Sequence, residues 1–517
     1  MRKSVLALGA AVLIGGPTAL AFFSGGFFDR PRLIAGIAAW ALVVVAAALA
    51  PTPLPTSTAG RVALAGLFLL TAWTALSLIW APLGGRAQDD LQRLLLYLAS
   101  FTASLALLRG AAVRRWLEPA VALGVLAVVG YGLAERLLPG LIQLDRSRTA
   151  AGRLEQPLTY WNAEGAVAAI GLVLAVRIAG DPARPKALRG AAAAAGVPIG
   201  LGVYLTFSRG ALAAVAAGLV VLIAFAPEGR PQLRGAIAVL GAGAVAALVA
   251  SRLSTVESLG LNQRGDPGEG LLMLTALVLL ALVAVAIVSR PPRRQSPLSW
   301  GRVSRPAVVL ALCVVALAVG AFAYTAFEGA PQGVSPHRTV GAERLGSVDS
   351  NRYRYWRVAA ESWADRPLIG VGSGGFLVEW RKVRDRVDES ADAHSLYLET
   401  AAELGLIGLV LLLLFLGGVG AGLVRLHRLE PAAAPGLAGG LAAWAIHAGL
   451  DWDWEMPALT LIALLLGAAA LAWSERPRRR MEAPPAGEPE RRTQDAPFQA
   501  RPPVEARQLR RMMERIC

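Results

Sequence analysis

Apolar runs of about 17–25 residues recur along the chain, and short polar connections separate them. A helix of this length crosses the hydrocarbon core of a bilayer. Lipid offers no partner to an open backbone, and the alternating pattern of a membrane β-barrel is absent, so the runs are predicted to be helices. We therefore expect an all-α polytopic membrane protein with about 12–14 transmembrane helices. The candidate spans lie at about 4–23, 32–50, 61–80, 91–108, 116–138, 162–179, 190–207, 210–226, 235–251, 270–288, 307–326, 398–424, 433–450 and 457–473.

Arginines are concentrated in every second connection, for example in "RIAGDPARPKALR" and "PEGRPQLR". The alternate connections, such as "DWDWEMP", are acidic or balanced. The positive-inside rule then places the arginine-rich connections and both termini in the cytoplasm. The formal net charge of +15 follows from this topology, and no soluble domain is left that would bind nucleic acid.

Two segments are too polar to span a membrane. The connection 327–397 is much the longest, and its aromatic residues and helical pattern favour an ordered extracytoplasmic loop domain. The tail 475–517 is rich in proline, arginine and glutamate, so we expect it to be cytoplasmic, mostly disordered and suited to contact with membrane lipid. Transmembrane helices are predicted in 1–326 and in 398–474. Residues 1–21 also have features of a signal peptide, but an uncleaved first span is favoured.

No spacing of histidines and cysteines indicates a metal site or a redox site. The two cysteines, Cys313 and Cys517, are not expected to pair. The sequence therefore predicts neither a metal nor a cofactor.

A histidine precedes one of the predicted spans. His394, in "DAHSLYLETAAELGLIG", stands where the long connection returns to the membrane, and it is one of only four histidines in the chain. An imidazole exchanges protons near neutral pH, so His394 is a candidate general base.

Three arginines are predicted on the same side of the membrane. Arg209, in "TFSRGALAA", lies in a turn so short that it must sit near the membrane, where it faces a cavity or a partner, or else snorkels to the headgroups. Arg352 and Arg354 lie on a predicted helix that ends before Pro367. Arg352 shares a helical face with Trp356, so it points toward the membrane domain or anchors the helix to lipid.

Two further connections carry polar residues that would support a site. Tyr160 and Asn162 lie in "GRLEQPLTYWNAEG", where Asn162 is expected to cap a helix. His447 and Asp451 in "HAGLDWDWEMP" are four residues apart, so the carboxylate would orient the imidazole. The glycine-rich "GVGSGGF" (370–376) lacks the lysine of a phosphate-binding loop and predicts a turn in which the backbone closely approaches a neighbour or a ligand.

"HSLYLETAAELGLIGLVLLLLFLGG" resembles the signature of the O-antigen ligase and polymerase superfamily, in which ten residues separate a histidine from a glycine, as they separate His394 from Gly405 here. "NRYRYWRVAAESWADRPLIGVGSGGF" is similar to the arginine helix of that family and to its Pro-Leu-x-Gly-x-Gly segment. "FSRGA" resembles its outer-face arginine turn, and "YWN" its earlier re-entry loop. Trp356 departs from the leucine that the ligase branch tends to have at this position, which leaves the branch open.

The resemblance implies a GT-C-like fold in the bacterial cytoplasmic membrane and a metal-independent glycosyltransferase of cell-envelope polysaccharide synthesis. The donor would be an undecaprenyl-diphosphate-linked glycan, and the acceptor would be a hydroxyl of a glycan, a lipid or a protein. Attack at the anomeric carbon would invert its configuration. The candidate site consists of His394 as the base; Arg209, Arg352 and Arg354 as diphosphate ligands; and Tyr160, Asn162, His447 and Asp451 as supporting residues.

Several functions remain open at this point. Ligase, polymerase and protein O-glycosyltransferase cannot be separated, because the acceptor surface cannot be read from the sequence. A transporter of lipid-linked glycan would also have many spans and cavity-lining arginines. The candidate residues cluster at one face and no internal repeat is visible, which favours an enzyme.

Overall fold

The computed structural model describes residues 1–290, 352–384 and 390–475. Within these ranges the chain forms helices and no strand. The helices are α1 (Arg2–Ala21), α2 (Asp29–Leu49), α3 (Thr58–Ser77), α4 (Gly84–Leu107), α5 (Ala111–Leu137), α6 (Trp161–Ala179), α7 (Lys186–Leu205), α8 (Arg209–Phe225), α9 (Gly229–Ala250), α10 (Ser254–Glu257), α11 (Pro267–Ser289), α12 (Arg352–Asp365), α13 (Phe376–Val383), α14 (Leu396–Leu429), α15 (Pro435–Ala448) and α16 (Pro457–Ser474). Two short 3₁₀ turns lie at Ser24–Gly26 and Asp453–Glu455.

Among the described helices, 10 are long and apolar enough to cross a membrane. They are α1, α2, α3, α5, α6, α7, α9, α11, α14 and α16. Three more predicted spans correspond to α4, which begins with a charged turn, and to α8 and α15, which have 17 and 14 residues. The predicted span 307–326 lies outside the described residues. The prediction of an all-α, multi-pass membrane protein is confirmed.

Two helices form the centre of the bundle. Every residue of α6 after Trp161 is buried, and so is every residue of α16. α6 packs against α5, α7, α8 and α15, whereas α16 packs against α1, α4 and α14. Both helices are rich in alanine, and small side chains let helix backbones approach closely in lipid. Peripheral helices instead expose large apolar side chains, such as Ile37 of α2 and Leu282 of α11, as a lipid-facing surface requires.

α14 is broken near its start, at Gly405. This glycine has φ +66° and ψ −167°, so the helix stops and restarts there. The restarted part, from Leu406 to Leu429, is the membrane-length segment. The first part, from Leu396 to Leu404, is a separate short helix that follows His394.

The segment 367–372 forms backbone hydrogen bonds with α14 on both sides of the break. The amides of Val371 and Gly372 donate to the carbonyls of Ala402 and Glu403 at 2.9 and 2.8 Å. On the other side of the break, Leu406 N donates to the Pro367 carbonyl at 2.8 Å. These bonds satisfy the backbone groups that a helix break would otherwise leave unpaired in the membrane.

Two glycines make this close contact possible. A Cβ at Gly405 would lie 2.2 Å from the Leu368 carbonyl oxygen, and a Cβ at Gly370 would lie 2.3 Å from the Glu403 carbonyl carbon. The backbone of the glycine-rich segment thus closely approaches the backbone of α14, one of the outcomes that the sequence predicts. It joins the end of α12 to the start of α14.

We predict that Gly405→Ala destabilises the protein by about 1–3 kcal/mol, because alanine is strained at positive φ and its methyl group would clash with Leu368. Thermal unfolding of the detergent-purified protein measures this change. Gly417→Ala in the same helix is the matched control, since nothing lies within 4 Å of its Cβ position. Equal melting temperatures for the two variants would contradict the clash.

Candidate functional site

The predicted site residues meet at the end of the bundle where α6, α8 and α14 begin and α15 ends. His394 lies two residues before α14, and Arg352 is the first residue of α12. Tyr160 precedes α6, Arg209 begins α8, and Asp451 follows α15. Residues from five separate parts of the sequence therefore share one surface.

The backbone and ring of His394 are both held in place. Its φ is +56°, a conformation that non-glycine residues seldom adopt and that is concentrated at functional sites. The Trp356 indole donates a hydrogen bond to its carbonyl at 3.2 Å, and the Tyr355 ring lies 5.2 Å from the imidazole. The local strain is thus supported by two aromatic residues of α12.

The hydrogen bonds of His394 determine which ring nitrogen can accept a proton. Nδ1 lies 3.0 Å from the Asp392 carbonyl oxygen and 3.4 Å from the Ser390 hydroxyl. A carbonyl oxygen only accepts, so we assign the proton of the neutral ring to Nδ1. Nε2 then carries the lone pair, which is the form a general base needs.

A network of side chains is centred on the fully buried carboxylate of Asp451. Arg352 donates to one oxygen, and the Tyr160 hydroxyl donates to the other at 2.8 Å. The Asn162 amide in turn donates to the Tyr160 oxygen at 2.8 Å. The predicted capping role of Asn162 is wrong, because α6 begins at Trp161 with no side-chain cap and Asn162 lies inside the helix.

The ion pair between Arg352 and Asp451 sets the charge of this network. Burial raises the pKa of Asp451, but the Arg352 guanidinium, together with smaller contributions from the two neighbouring histidines and the Tyr160 hydroxyl, holds that pKa below its ordinary value. Because the folded pKa is depressed, the stabilisation is complete above the unfolded carboxyl pKa of about 3.9 and is lost only as pH falls through the lower folded value. The pair is therefore ionised at neutral pH.

The indole of Trp452 connects His394 with this network. Its ring lies 4.4 Å from the Tyr160 ring and 6.5 Å from the His394 ring. A third neighbour, the Phe27 ring, lies edge-on to it at 5.5 Å. Sequence reasoning did not single out Trp452, although the repeated "DWDW" placed it beside Asp451.

The structure corrects the predicted partner of His447. Its Nδ1 bonds to Asp453 at 2.7 Å, and both side chains are buried, whereas Asp451 pairs with Arg352 and Tyr160. The chain leaves the helix after Ala448, so the helical spacing of four residues does not hold at Asp451. His447 lies below the surface against α8, where its Nε2 is 3.1 Å from the Cβ position of Gly210.

The other two candidate arginines differ in their surroundings. Arg209 is partly buried at the start of α8, and its positive charge acts on Tyr353 of α12. Burial still raises the pKa of Tyr353 above its ordinary value. Arg354 is two residues from Arg352 on the exposed face of α12. The structure therefore brings Arg209 and Arg352 to the same helix end and leaves Arg354 at the surface.

A second polar cluster adjoins His394 through Asp392 and was not predicted from the sequence. Arg86 of α4 pairs with Asp392 at 3.2 Å, and burial raises the pKa of that carboxyl. Further along α4, Arg93 pairs with Asp90 at 3.1 Å and with Glu455 at 3.2 Å. The sequence feature that could have revealed this cluster is the charged start of "GGRAQDDLQRLLLYL". These residues belong to α4 rather than to a loop.

In the part of the chain that the structure describes, no group of three or more histidine, cysteine, aspartate or glutamate side chains is placed to hold a metal ion.

Comparison with known families matches one part of the chain. Residues 271–413 match the family model described as O-antigen ligase. The match includes Arg352, His394 and Gly405, and it assigns this segment to the O-antigen ligase and polymerase superfamily. The resemblance found in the sequence is thereby confirmed. A search of curated proteins gave no match to the chain.

We predict that Asp451→Asn destabilises the protein by about 2–4 kcal/mol, since it leaves the partly buried Arg352 without its carboxylate. Arg352 is 22% exposed, so the loss should fall below that of a fully buried pair. Thermal unfolding of the single variants and of Asp451→Asn with Arg352→Gln measures the coupling. Asp365→Asn on the exposed end of α12 is the control, and additive effects in the double variant would argue against a direct pair.

Proposed function

We propose that the chain is a glycosyltransferase that uses an undecaprenyl-diphosphate-linked glycan. It would transfer the glycan to an acceptor hydroxyl at the outer face of the bacterial cytoplasmic membrane, with both termini in the cytoplasm. The observation that carries the proposal is the position of His394, which has an oriented imidazole beside an arginine–carboxylate network. The O-antigen ligase match supports the substrate class.

In the proposed reaction His394 is the general base. Nε2 of the neutral imidazole accepts the proton of the acceptor hydroxyl as its oxygen attacks the anomeric carbon. The bond from Nδ1 to the Asp392 carbonyl keeps the ring in the tautomer that this step needs. The strained backbone at His394 fixes the direction of the ring, so little orientation remains to be ordered during the reaction.

Arginines are proposed to bind the diphosphate leaving group. A guanidinium offers a planar fork of donors that matches phosphate oxygens and keeps its charge. Asp451 holds Arg352 through an ion pair, so the guanidinium is already oriented where the diphosphate would bind. Arg209 approaches the same helix end from α8, and Arg354 is the third, more exposed candidate.

The chemistry balances without a metal in this scheme. A new bond forms between the acceptor oxygen and the anomeric carbon, while the bond from that carbon to the diphosphate oxygen breaks. The electron pair leaves with the diphosphate, whose charge the arginines stabilise, and the proton stays on His394. Preorganised charge of this kind is usually the largest catalytic contribution. Displacement from the opposite face inverts the anomeric configuration.

The same chemistry serves a ligase, a polysaccharide polymerase or a protein O-glycosyltransferase, because these differ only in the molecule that carries the acceptor hydroxyl. Tyr160, Asn162 and Asp451 act in each case by positioning Arg352. His447 would keep the packing of α15 against α8 through its bond to Asp453.

We predict that His394→Ala lowers the rate of glycan transfer by about 10²–10⁴-fold, the usual contribution of a positioned base. Transfer is measured with lipid-linked glycan in membranes that contain equal amounts of folded protein. His427→Ala is the control, because His427 lies at the opposite end of α14. Activity of His394→Ala within a few-fold of wild type would exclude His394 as the base. Translocation of the glycan lipid without bond formation would instead support a transporter.

We predict that Arg209→Lys and Arg352→Lys each lower transfer by at least about tenfold although the charge is retained, because an ammonium group cannot bind phosphate through a planar fork. The measurement is transfer rate against donor concentration. Arg357→Lys is the matched control, since Arg357 lies on the exposed face of α12. Wild-type rates for both test variants would assign these arginines to lipid headgroups.

A further inference from the structure

Glu399 reaches from the first turn of α14 back to the segment that precedes this helix. Its carboxyl oxygen Oε2 accepts a hydrogen bond from the Ala393 amide at 2.8 Å. The residue at the cap position of α14, Ser395, forms no side-chain cap bond. Acidic side chains in a first helical turn commonly accept hydrogen bonds from backbone amides at the helix start. Glu399 therefore ties the segment before α14 to the helix itself.

The Ala393 amide belongs to the same peptide that holds the imidazole. Ala393 N–H and Asp392 C=O are the two ends of one planar unit, so a bond that fixes one end also fixes the other. The Asp392 carbonyl oxygen lies 3.0 Å from Nδ1 of His394 and accepts from the Ser390 hydroxyl at 3.0 Å. Glu399, this peptide and the imidazole thus form one chain of hydrogen bonds, from carboxyl to amide and from carbonyl to ring.

The orientation of this peptide decides which tautomer the ring adopts. Rotation of the peptide would turn the Asp392 carbonyl away from Nδ1 and turn the Ala393 amide toward it. An N–H group that faces Nδ1 favours the ring with its proton on Nε2, which cannot accept a second proton there. Ala393 is fully buried, so its amide depends on a protein acceptor, and Glu399 supplies that acceptor. The bond to Glu399 therefore favours the tautomer that a base needs.

The backbone of His394 also requires support on both sides. Its φ of +56° is unfavourable for a residue other than glycine and persists only where the surroundings determine it. The Trp356 indole holds the His394 carbonyl on one side at 3.2 Å. On the other side Glu399 holds the amide of the preceding residue.

The arrangement differs from a direct pair of histidine and carboxylate. In such pairs a carboxylate bonds to Nδ1–H and keeps the ring in place. Here the carboxylate of Asp392 pairs with Arg86 at 3.2 Å, and its backbone carbonyl faces the ring instead. Hydrogen bonds in series polarise one another, so an acceptor at the amide end of a peptide strengthens the carbonyl at its other end. A carboxyl group can therefore act on an imidazole through an intervening peptide.

We propose that Glu399 is a positioning residue for His394 and acts through the Asp392–Ala393 peptide. The proposal rests on the proposed function, in which Nε2 of His394 is the base, and it names the side chain that keeps this atom available. Glu399 transfers no proton in this scheme. Its oxygen fixes the peptide, the peptide carbonyl holds Nδ1–H, and Nε2 keeps its lone pair for the acceptor hydroxyl.

The bond from Ala393 needs an acceptor oxygen rather than a negative charge. Glu399 lines a polar cavity of about 40 Å³ together with Glu403 and Glu455, and neighbouring carboxyl groups share protons. A protonated carboxyl group still accepts an amide hydrogen bond through its carbonyl oxygen, and so does a glutamine side chain. Glu399→Gln should therefore preserve the bond, whereas Glu399→Ala removes it.

The first test compares these two variants in the transfer assay. Glu399→Ala should lower kcat at least about tenfold, which is part of the contribution of about 10²–10⁴-fold that a positioned base makes, while KM for the donor stays within about threefold. Glu399→Gln should stay within about threefold of the wild-type kcat. Wild-type kcat in Glu399→Ala overturns the proposal, and so does a loss confined to KM. An equal loss of kcat in both variants would show that charge is required, which also overturns it.

The second test observes the ring directly, by solid-state NMR of the full-length protein in nanodiscs with ¹⁵N-labelled histidine rings. His394→Gln identifies the signals of His394 by their loss. The neutral ring should carry its proton on Nδ1 in the wild type and in Glu399→Gln, and mostly on Nε2 in Glu399→Ala.

Glu403→Ala is the matched control for the tautomer. Glu403 lies in the same part of α14 and also accepts from backbone amides, those of Gly374 and Phe376 at 2.9 and 3.0 Å. Its loss should leave the tautomer of His394 unchanged. An unchanged tautomer in Glu399→Ala, or the same change in Glu403→Ala, would give Glu399 a merely structural role and would contradict the proposal.

The outcome can be separated from that of the proposed function, because the tautomer is measured without substrate. Transfer that persists in His394→Ala would refute the proposed function and leave the tautomer result standing. Loss of transfer in His394→Ala, together with a wild-type tautomer in Glu399→Ala, would refute only the role of Glu399.

Discussion

The hydrogen bonds that cross the break in α14 hold the two halves of the site together. The segment 367–372 follows α12, which begins with Arg352, and it bonds to backbone on both sides of Gly405. His394 lies at the start of the same broken helix. An intact α14 would have no unpaired backbone groups to receive the segment, so the arginine helix would lack this attachment. The relative position of the cation and the imidazole therefore depends on one glycine at positive φ.

Two arginines near His394 are each oriented by a carboxylate. Asp451 holds Arg352, and Asp392 holds Arg86, while the backbone carbonyl of Asp392 also orients His394. Buried ion pairs of this kind add little net stability, because desolvation offsets most of their attraction. Their physical benefit is that guanidinium groups are already ordered when a charged substrate arrives, which reduces the entropy lost on binding. Under the proposed reaction this order is what Arg352 contributes.

The membrane fold could be predicted from the sequence alone, because each span appears in it as a continuous run of apolar residues with arginines at one end. The resemblance to a family motif also singled out His394 and Arg352, whose roles at the site stay predictions. It was insufficient wherever the chain leaves a regular helix. The pairing of His447 with Asp453 rather than Asp451 depends on a turn after Ala448 that helical periodicity does not describe.

The position of Trp452 follows from that same irregular turn. Its indole lies 4.4 Å from the Tyr160 ring, 5.5 Å from the Phe27 ring and 6.5 Å from the His394 ring. These contacts join the turn after α15 to the segments that precede α6 and α14 and to the connection between α1 and α2. One side chain outside the helices thus contacts three other parts of the sequence at the site, and its place depends on a turn that helical periodicity does not describe.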